Sequence, residues 1–423
     1  MLVADHLRRK GHEVRFVDLM HARKPTEVLT AALDEHHPEL LCFSIRNRDN
    51  QDMADLADPL PEIRELVEHT RRLCDAPSLI GGTAVTTFPE QLRSALEVDY
   101  AFAGDDPDLV AQLVTSIEAG DLDTSVAGLV YEGDGAIHAN PPRLRGYRDL
   151  RFGGYDMLDM KAYRKGYYDC GVVTHTGCPL GCVFCDAHVT FGRKYVLRDP
   201  EEVVEELREL KQTYKAKSVW LVNSGINRPL EYGKELMARI AESKVGLPFA
   251  CIIEPGEFDT ELAGMLRKAG CQLAMLFGNT LSDRVLEQNS SHYRCGDILD
   301  AGRFLGDTKL PYMLGLMFGQ PGESVQSIEE SLEKSLEIKP VFTQYGVGLR
   351  IQPDTPLRGI AVEEGVITAD HDCFETSFYC SAEAPPDQVW KRINRFKLTH
   401  PWHRLRMVSY VSRTIWDSIF ARG

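Results

Sequence analysis

No apolar run in this 423-residue chain approaches the roughly 18 to 20 residues of a membrane-spanning helix. The first residues also lack the charged-then-apolar order of a secretory signal. Positive charge is in short supply: 48 Lys and Arg stand against 63 Asp and Glu, a formal net charge of -15. That balance argues against nucleic acid or an anionic membrane as the partner. Internal repeats and low-complexity stretches are missing too. Together these absences point to a cytoplasmic protein with a small-molecule substrate. Cysteine, by contrast, is plentiful: 11 residues, an odd number, scattered apart from one tight trio. This is not the disulfide framework of a small secreted domain, and it fits reduced thiols with one metal site.

The length implies two domains with a terminal appendage. Residues 1–126 alternate helix and strand: a helix over 1–10, strands over 13–19, 39–45 and 78–82, and helices over 26–36, 61–73 and 89–96. The pattern predicts an α/β, Rossmann-like doubly wound sheet. It opens in what should be its first helix, so the first strand is expected to be missing. Residues 127–168, rich in Gly, Pro, Tyr and Asp, read as a linker. Six strand–helix units then follow over 169–365, with strands at 172–173, 218–222, 249–253, 272–277, 312–318 and 342–351. They predict a partial (β/α)6 barrel, whose chemistry belongs at the carboxyl ends of its strands. Residues 366–423, with Trp390, Trp402 and Trp416, read as a small cap over the barrel mouth.

Gly177-Cys178-Pro179-Leu180-Gly181-Cys182-Val183-Phe184-Cys185 puts three thiols on one loop just after the first barrel strand. Three thiolates can hold three corners of an iron–sulfur cube and leave one iron open, as a catalytic site requires. The alternative is a structural zinc site completed by His175 or His188. The remaining cysteines, Cys42, Cys170, Cys251 and Cys271 among them, read as small core residues.

The Cys-x-x-x-Cys-x-x-Cys spacing, with an aromatic before the last Cys, resembles the signature of the radical S-adenosylmethionine (SAM) superfamily, and the likeness extends through the barrel to about residue 364. It implies a [4Fe-4S] cluster on Cys178, Cys182 and Cys185, SAM on the open iron, and an electron donor such as flavodoxin or ferredoxin. By the same likeness Phe184 and the strand-end residues Asn223, Ser224, Glu254 and Asn279 become candidate SAM contacts. Gly319, in Phe318-Gly319-Gln320-Pro321-Gly322-Glu323, would let backbone approach SAM closely. Arg350 would pair with the SAM carboxylate, or serve as a surface salt bridge. Tyr167, Tyr168, His188, Tyr195, Tyr312 and Tyr345 could line the substrate site, or simply pack.

Several amino-terminal phrases resemble one branch, the cobalamin-binding radical SAM proteins, which include methyltransferases: Gly11-His12-Glu13-Val14, Arg46-Asn47-Arg48-Asp49-Asn50, Ile80-Gly81-Gly82-Thr83 and Ala103-Gly104-Asp105-Asp106. The likeness implies that Arg46, Asn47, Gly81, Gly82, Thr83 and Gly104 line a cobalamin crevice. No Asp-x-His-x-x-Gly segment is present, so no histidine is placed to ligate cobalt; by the same likeness Arg46 faces the lower side of the corrin. The function implied is methyl transfer to a small molecule or natural-product intermediate. The alternative is a non-methylating rearrangement, cyclisation or ring contraction in which the amino-terminal domain is only a scaffold.

Overall fold

The computed structural model describes residues 1–147, 153–166 and 168–400. Its first sheet has five strands in the order β1 (Leu41–Ser44), β2 (Ser78–Gly81), β3 (Tyr100–Phe102), β4 (Leu129–Gly133) and β5 (Ala136–Ala139). The first three are parallel, and β4 and β5 join antiparallel. Crossover helices over Leu60–Leu73 and Pro89–Leu96 connect them, and Pro107–Glu118 follows β3. Proline in the first turn suits a helix start because its missing N–H has no partner to lose there. At Pro107 the Asp106 carboxylate adds a cap by accepting from Asp108 N at 3.0 Å. Successive strand residues feed opposite cores. Leu79, Phe102 and Leu129 pack with the 107–118 helix, while Ile80, Ala101 and Val130 pack with Val67, Leu92 and Leu96.

Three expectations need correction here. Residues 13–19 alternate like a strand but pair with no other strand. Alternation specifies a strand only where a neighbour offers backbone partners. Here Val14 packs against the core and Asp18 accepts from Tyr163 Oη at 2.8 Å. Among the described residues no strand lies beyond β1, so Cys42, expected in the core, is exposed. The expected linker, in turn, begins with β4 and β5, which extend the first sheet.

The second sheet has six strands, all parallel: β6 (Cys170–Val173), β9 (Val219–Val222), β10 (Phe249–Ile253), β11 (Cys271–Asn279), β12 (Tyr312–Phe318) and β13 (Phe342–Val347) in spatial order. Between β6 and β9 lies a small antiparallel pair, β7 (His175–Thr176) and β8 (Val196–Leu197). This is the expected partial barrel. Val172, Leu221, Cys251, Leu276 and Leu314 point outward and pack under helices carrying Leu207, Leu236, Leu266 and Leu305. Each fully buried leucine contributes ~2 kcal/mol. The alternate residues face the lumen.

The long last strand expected over 342–351 is broken at Gly348, whose φ is +81° and where a Cβ would meet Met53 Sδ at 2.5 Å. Beyond the break, β14 (Leu349–Arg350) pairs with β15 (Phe378–Tyr379). Leu349, Ile351, Leu357, Cys373 and Tyr379 then complete the core of the first sheet. The last helix, Pro386–Thr399, packs Val389, Ile393 and Phe396 into the outer core of the barrel, so it covers the flank and not the mouth. Trp402, Trp416 and Tyr167 lie outside the described residues. Among the described residues no helix is long and apolar enough to cross a membrane.

Candidate cluster and cofactor sites

The loop carrying the three cysteines is pinned at both ends. Gly177 has φ +78°, and a Cβ there would sit 1.9 Å from Lys194 O, so only glycine brings the two sides of the hairpin this close. Cys178 N donates to Gly192 O at 3.0 Å, Cys185 N to Cys182 O at 3.1 Å, and Leu357 N to Val183 O at 2.9 Å. All three thiols are free and half-buried. Burial pushes the Cys182 thiol up to about 12, helped by the neighbouring Cys185 and Cys178, and burial lifts Cys185 to about 11. Three such thiols become thiolates only when a cation compensates their charge, which is the behaviour of a metal site that releases protons on loading.

A [4Fe-4S] cube fits this donor set better than zinc does. Among the described residues no three His, Cys, Asp or Glu side chains converge on a point where one ion would sit. Each histidine offered as a fourth zinc ligand is engaged through Nε2. His175 Nε2 lies 3.1 Å from Ser224 Oγ. His188 Nε2 lies 3.1 Å from Asp354 O.

The expected SAM contacts divide. Ser224 Oγ donates to Gly177 O at 3.3 Å and so braces the cluster loop. Asn223 donates to Thr174 Oγ1 at 3.2 Å, while its buried Oδ1 has no partner. Glu254 follows β10 and faces Cys178 and Cys182 closely enough to act on both electrostatically. Its Oε2 accepts from Arg228 Nε at 2.7 Å, and its Oε1 is buried without a partner. Burial lifts this carboxyl to about 7 against the pull of Arg228. Asn279, at the end of β11 with φ +58°, donates to Tyr293 Oη at 2.8 Å. Phe184 is half-buried against the core of the first sheet, where Met317 also packs. Two unforeseen residues complete the group: Asn227 donates to Glu254 O at 2.8 Å and Gly256 O at 2.9 Å, and Arg228 also reaches Glu257 at 2.9 Å.

Two expectations about SAM are corrected by this geometry. The Gly319 N–H does not face a ligand; it donates to Glu323 Oε2 at 2.6 Å, and a Cβ at Gly319 would meet Cys380 Sγ at 2.5 Å. Arg350, offered for the SAM carboxylate or as a surface salt bridge, is in a salt bridge, but a buried one to a protein carboxylate. Its Nε donates to Asp49 Oδ2 at 2.8 Å, its Nη2 to Cys373 O at 2.8 Å and its Nη1 to Ile351 O. Both members of the pair are 2% exposed at the side chain. The salt bridge ties the loop after β1 to the end of the barrel.

The residues named for cobalamin do gather. Arg46 and Asn47 follow β1, Gly82 and Thr83 follow β2 with Gly81 at its last position, and Gly104 follows β3, so all lie at the carboxyl ends of parallel strands, where such sheets bind ligands. The loops are knitted together: Ile45 N donates to Gly81 O at 2.7 Å, Ala84 N to Ile45 O at 3.2 Å, and Thr83 Oγ1 to Arg46 O at 2.5 Å. At Gly82, φ is +111° and a Cβ would lie 2.4 Å from Ile45 O, so glycine is needed there to seat one loop on the next. Gly104, φ +128°, accommodates Arg143 O in the same way. The Arg46 side chain is exposed. A crevice of backbone and small side chains with one exposed guanidinium at its lip fits a flat, amide-rimmed macrocycle.

Known proteins resemble both halves. The radical SAM superfamily matches residues 172–334 and the B12 binding domain matches residues 1–114. An uncharacterized methyltransferase of Pyrococcus horikoshii is 23% identical over 64% of this chain and 60% of its own length. Hopanoid C-3 methylase of Methylococcus capsulatus is 26% identical over 58% and 45% respectively, and tryptophan 2-C-methyltransferase of Streptomyces laurentii 20% identical over 82% and 69%. The chain thus spans 60% and 45% of the lengths of the first two relatives. The radical SAM methyltransferase TsrM of Kitasatospora setae, solved with cobalamin and a [4Fe-4S] cluster, superposes with a TM-score of 0.81 at 20% identity, covering 94% of this chain and 88% of that one. The cobalamin-dependent SAM radical enzyme OxsB superposes with a TM-score of 0.74 at 14% identity, covering 93% and 62%. Both likenesses establish the shared fold.

Proposed function

This chain belongs to the radical SAM proteins that carry a B12-binding domain, whose cofactors are SAM, a [4Fe-4S] cluster and cobalamin, and on that premise we propose that it is a cobalamin-dependent methyltransferase acting on a small molecule. The observation that carries the reading is the placement of three free, half-buried thiols on one loop at the carboxyl end of β6, on a barrel whose last segment completes the core of the sheet bearing the second crevice. When bound, the cluster with SAM supplies one-electron chemistry and cobalamin supplies methyl-group transfer.

The chain's own residues divide the remaining work. Cys178, Cys182 and Cys185 hold the cluster, and Ser224 fixes the loop they ride on. Glu254, whose Oε1 is buried without a partner just after β10, takes a hydrogen bond from SAM's amino or hydroxyl groups. Asn223 and Asn279 add neutral contacts, and Phe184 packs the cluster loop against the first domain. Arg46, Asn47, Gly81, Gly82, Thr83 and Gly104 line the cobalamin crevice. Arg46 would lie against bound cobalamin, where a guanidinium would offer the metal no ligand. The setting is cytoplasmic, with flavodoxin or ferredoxin as the electron donor.

The test is incubation of the reconstituted, reduced protein with SAM labelled at its methyl group and a panel of small molecules. Label in a product supports methyl transfer. Formation of 5′-deoxyadenosine with no labelled product supports the rearrangement or cyclisation reading, which the 23% identical anaerobic magnesium-protoporphyrin IX monomethyl ester cyclase of Cereibacter sphaeroides keeps in view.

A further inference from the structure

The three thiols of the cluster loop do not have equal surroundings. Ser224 lies two residues beyond β9 and is half-buried. Its Oγ donates to Gly177 O at 3.3 Å, on the peptide that enters Cys178, and the same hydroxyl reaches the Cys178 sulfur. Cys182 and Cys185 meet backbone N–H groups instead. Among the described residues no side-chain hydroxyl is hydrogen-bonded to either of them.

His175, in β7, gives that hydroxyl a direction. Its Nε2 lies 3.1 Å from Ser224 Oγ. The ring is 1% exposed and stands edge-on to Tyr195 and Tyr232, with centroids 5.6 and 6.1 Å away and interplanar angles of 84° and 82°, so its plane is fixed. Burial depresses it to about 4, so it is neutral at pH 7 and carries one N–H. Its Nδ1 is buried without a partner. A proton on Nε2 yields two hydrogen bonds, from His175 to Ser224 and from Ser224 onward. A proton on Nδ1 yields one and strands a buried N–H. The first arrangement is favoured, and it leaves the hydroxyl proton free to point only at Gly177 and Cys178. The 3.3 Å contact with the carbonyl is long beside the usual 2.7–2.8 Å for O–H to O. A charged thiolate is the stronger acceptor.

We propose that Ser224, oriented by His175, is a positioning residue for the cluster: in the loaded protein its hydroxyl donates to the Cys178 sulfur and raises the potential at which the cluster accepts an electron. The proposal rests on reading Cys178 as a cluster ligand. Gain of an electron adds negative charge to the sulfurs, and an O–H dipole with its proton toward one of them stabilises the reduced form more than the oxidised one. With one lone pair taken by His175 and its proton by Cys178, Ser224 acts on the cluster before SAM arrives and independently of it.

The test is a one-electron reductive titration of the iron-loaded full chain with titanium(III) citrate, before SAM is added, with the reduced fraction read by electron paramagnetic resonance. Iron analysis and melting temperature confirm that each variant is loaded and folded. Ser224→Ala is expected to shift the reduction equilibrium about tenfold toward the oxidised cluster, a fall of about 59 mV for a one-electron couple. Ser224→Thr, which keeps a hydroxyl, returns to within about twofold of the parent, and His175→Phe shifts the equilibrium about threefold in the direction of Ser224→Ala, as partial and complete loss of one hydrogen bond imply. If Ser224→Ala retains no iron, deuterium electron–nuclear double resonance in D2O decides: an exchangeable deuteron coupled to the reduced cluster should change in His175→Phe, and coincident spectra overturn the proposal. A Ser224→Ala potential equal to that of the parent overturns it, and so does an equal fall in Ser224→Thr, which would mark a packing effect. The potential is read without methyl transfer. A protein that shows the expected shifts but forms no methylated product therefore defeats the functional reading alone, and a methyltransferase whose potential ignores Ser224 defeats this one alone.

Discussion

Asp49 and Arg350 form a buried ion pair 301 residues apart in sequence, and removing one partner should expose how the two halves of the molecule are held together. Asp49 Oδ2 accepts from Arg350 Nε at 2.8 Å and from Thr376 Oγ1 at 2.9 Å, with both charged side chains 2% exposed. Asp49→Ala leaves a guanidinium desolvated with only the carbonyls of Ile351 and Cys373 around it, a loss of about 3–5 kcal/mol. Arg350→Met strands the carboxylate and should cost a similar amount. Combining Arg350→Met with Asp49→Leu removes both charges; the unsatisfied carbonyls then cost about 1–3 kcal/mol, far below the sum of the single changes. Urea denaturation, followed by far-ultraviolet circular dichroism, measures all three. Because Asp49 shares a loop with Arg46, the Asp49→Ala protein should also retain less cobalamin through gel filtration. A loss under ~1 kcal/mol for Asp49→Ala, or additive costs in the double variant, would refute the assignment of this pair as the clamp.

Other consequences can be checked separately. Serine in place of Cys178, Cys182 or Cys185 should take iron from about four atoms per chain to almost none, as loss of one ligand to a three-thiolate cluster implies, with little change in the melting temperature of the metal-free protein. Gly177→Ala places a methyl 1.9 Å from Lys194 O at φ +78°, and its iron content after reconstitution should fall with no cysteine changed. Glu323 is raised to about 7 by burial, against the N–H groups of Gln320 and Gly319. A carboxyl with a raised folded-state value contributes stability at pH below about 4.5 that is lost as pH climbs through 7, amounting to ~3 kcal/mol. Glu323→Gln should flatten that part of the stability–pH curve. Arg46→Ala alters an exposed side chain and should leave the unfolding midpoint unchanged while shifting the visible spectrum of bound cobalamin. An unchanged spectrum would remove Arg46 from the crevice.

Where local chemistry dictates structure, the sequence was a sufficient guide. The helix over Leu230–Ser243 and the strands Phe249–Ile253 and Tyr312–Phe318 fall at the expected bounds because each has strong periodicity between clear stops. The cysteine trio stands out in the sequence because its three thiols share one loop. Residues 13–19 misled because strand pattern was present without a pairing partner. The strand over 342–351 was misjudged because it breaks at Gly348, whose φ is +81° and beside which Met53 leaves no room for a side chain. For Arg350 a salt bridge was one of two readings, and the sequence could not choose between them: its partner lies 301 residues away, and no local pattern announces such a pairing. Asn227 and Arg228 escaped notice since their task is to brace Glu254 from a neighbouring strand end, a relation that only folding creates.

The central claim is that one chain holds both an iron–sulfur cluster and cobalamin. Its most direct test is elemental analysis for iron, cobalt and zinc in protein purified anaerobically after expression with iron, sulfide and cobalamin supplied. The account predicts about four irons and about one cobalt per chain, with cobalt persisting through gel filtration. Zinc without iron would contradict the cluster assignment, and four irons without cobalt would contradict the role given to the amino-terminal crevice.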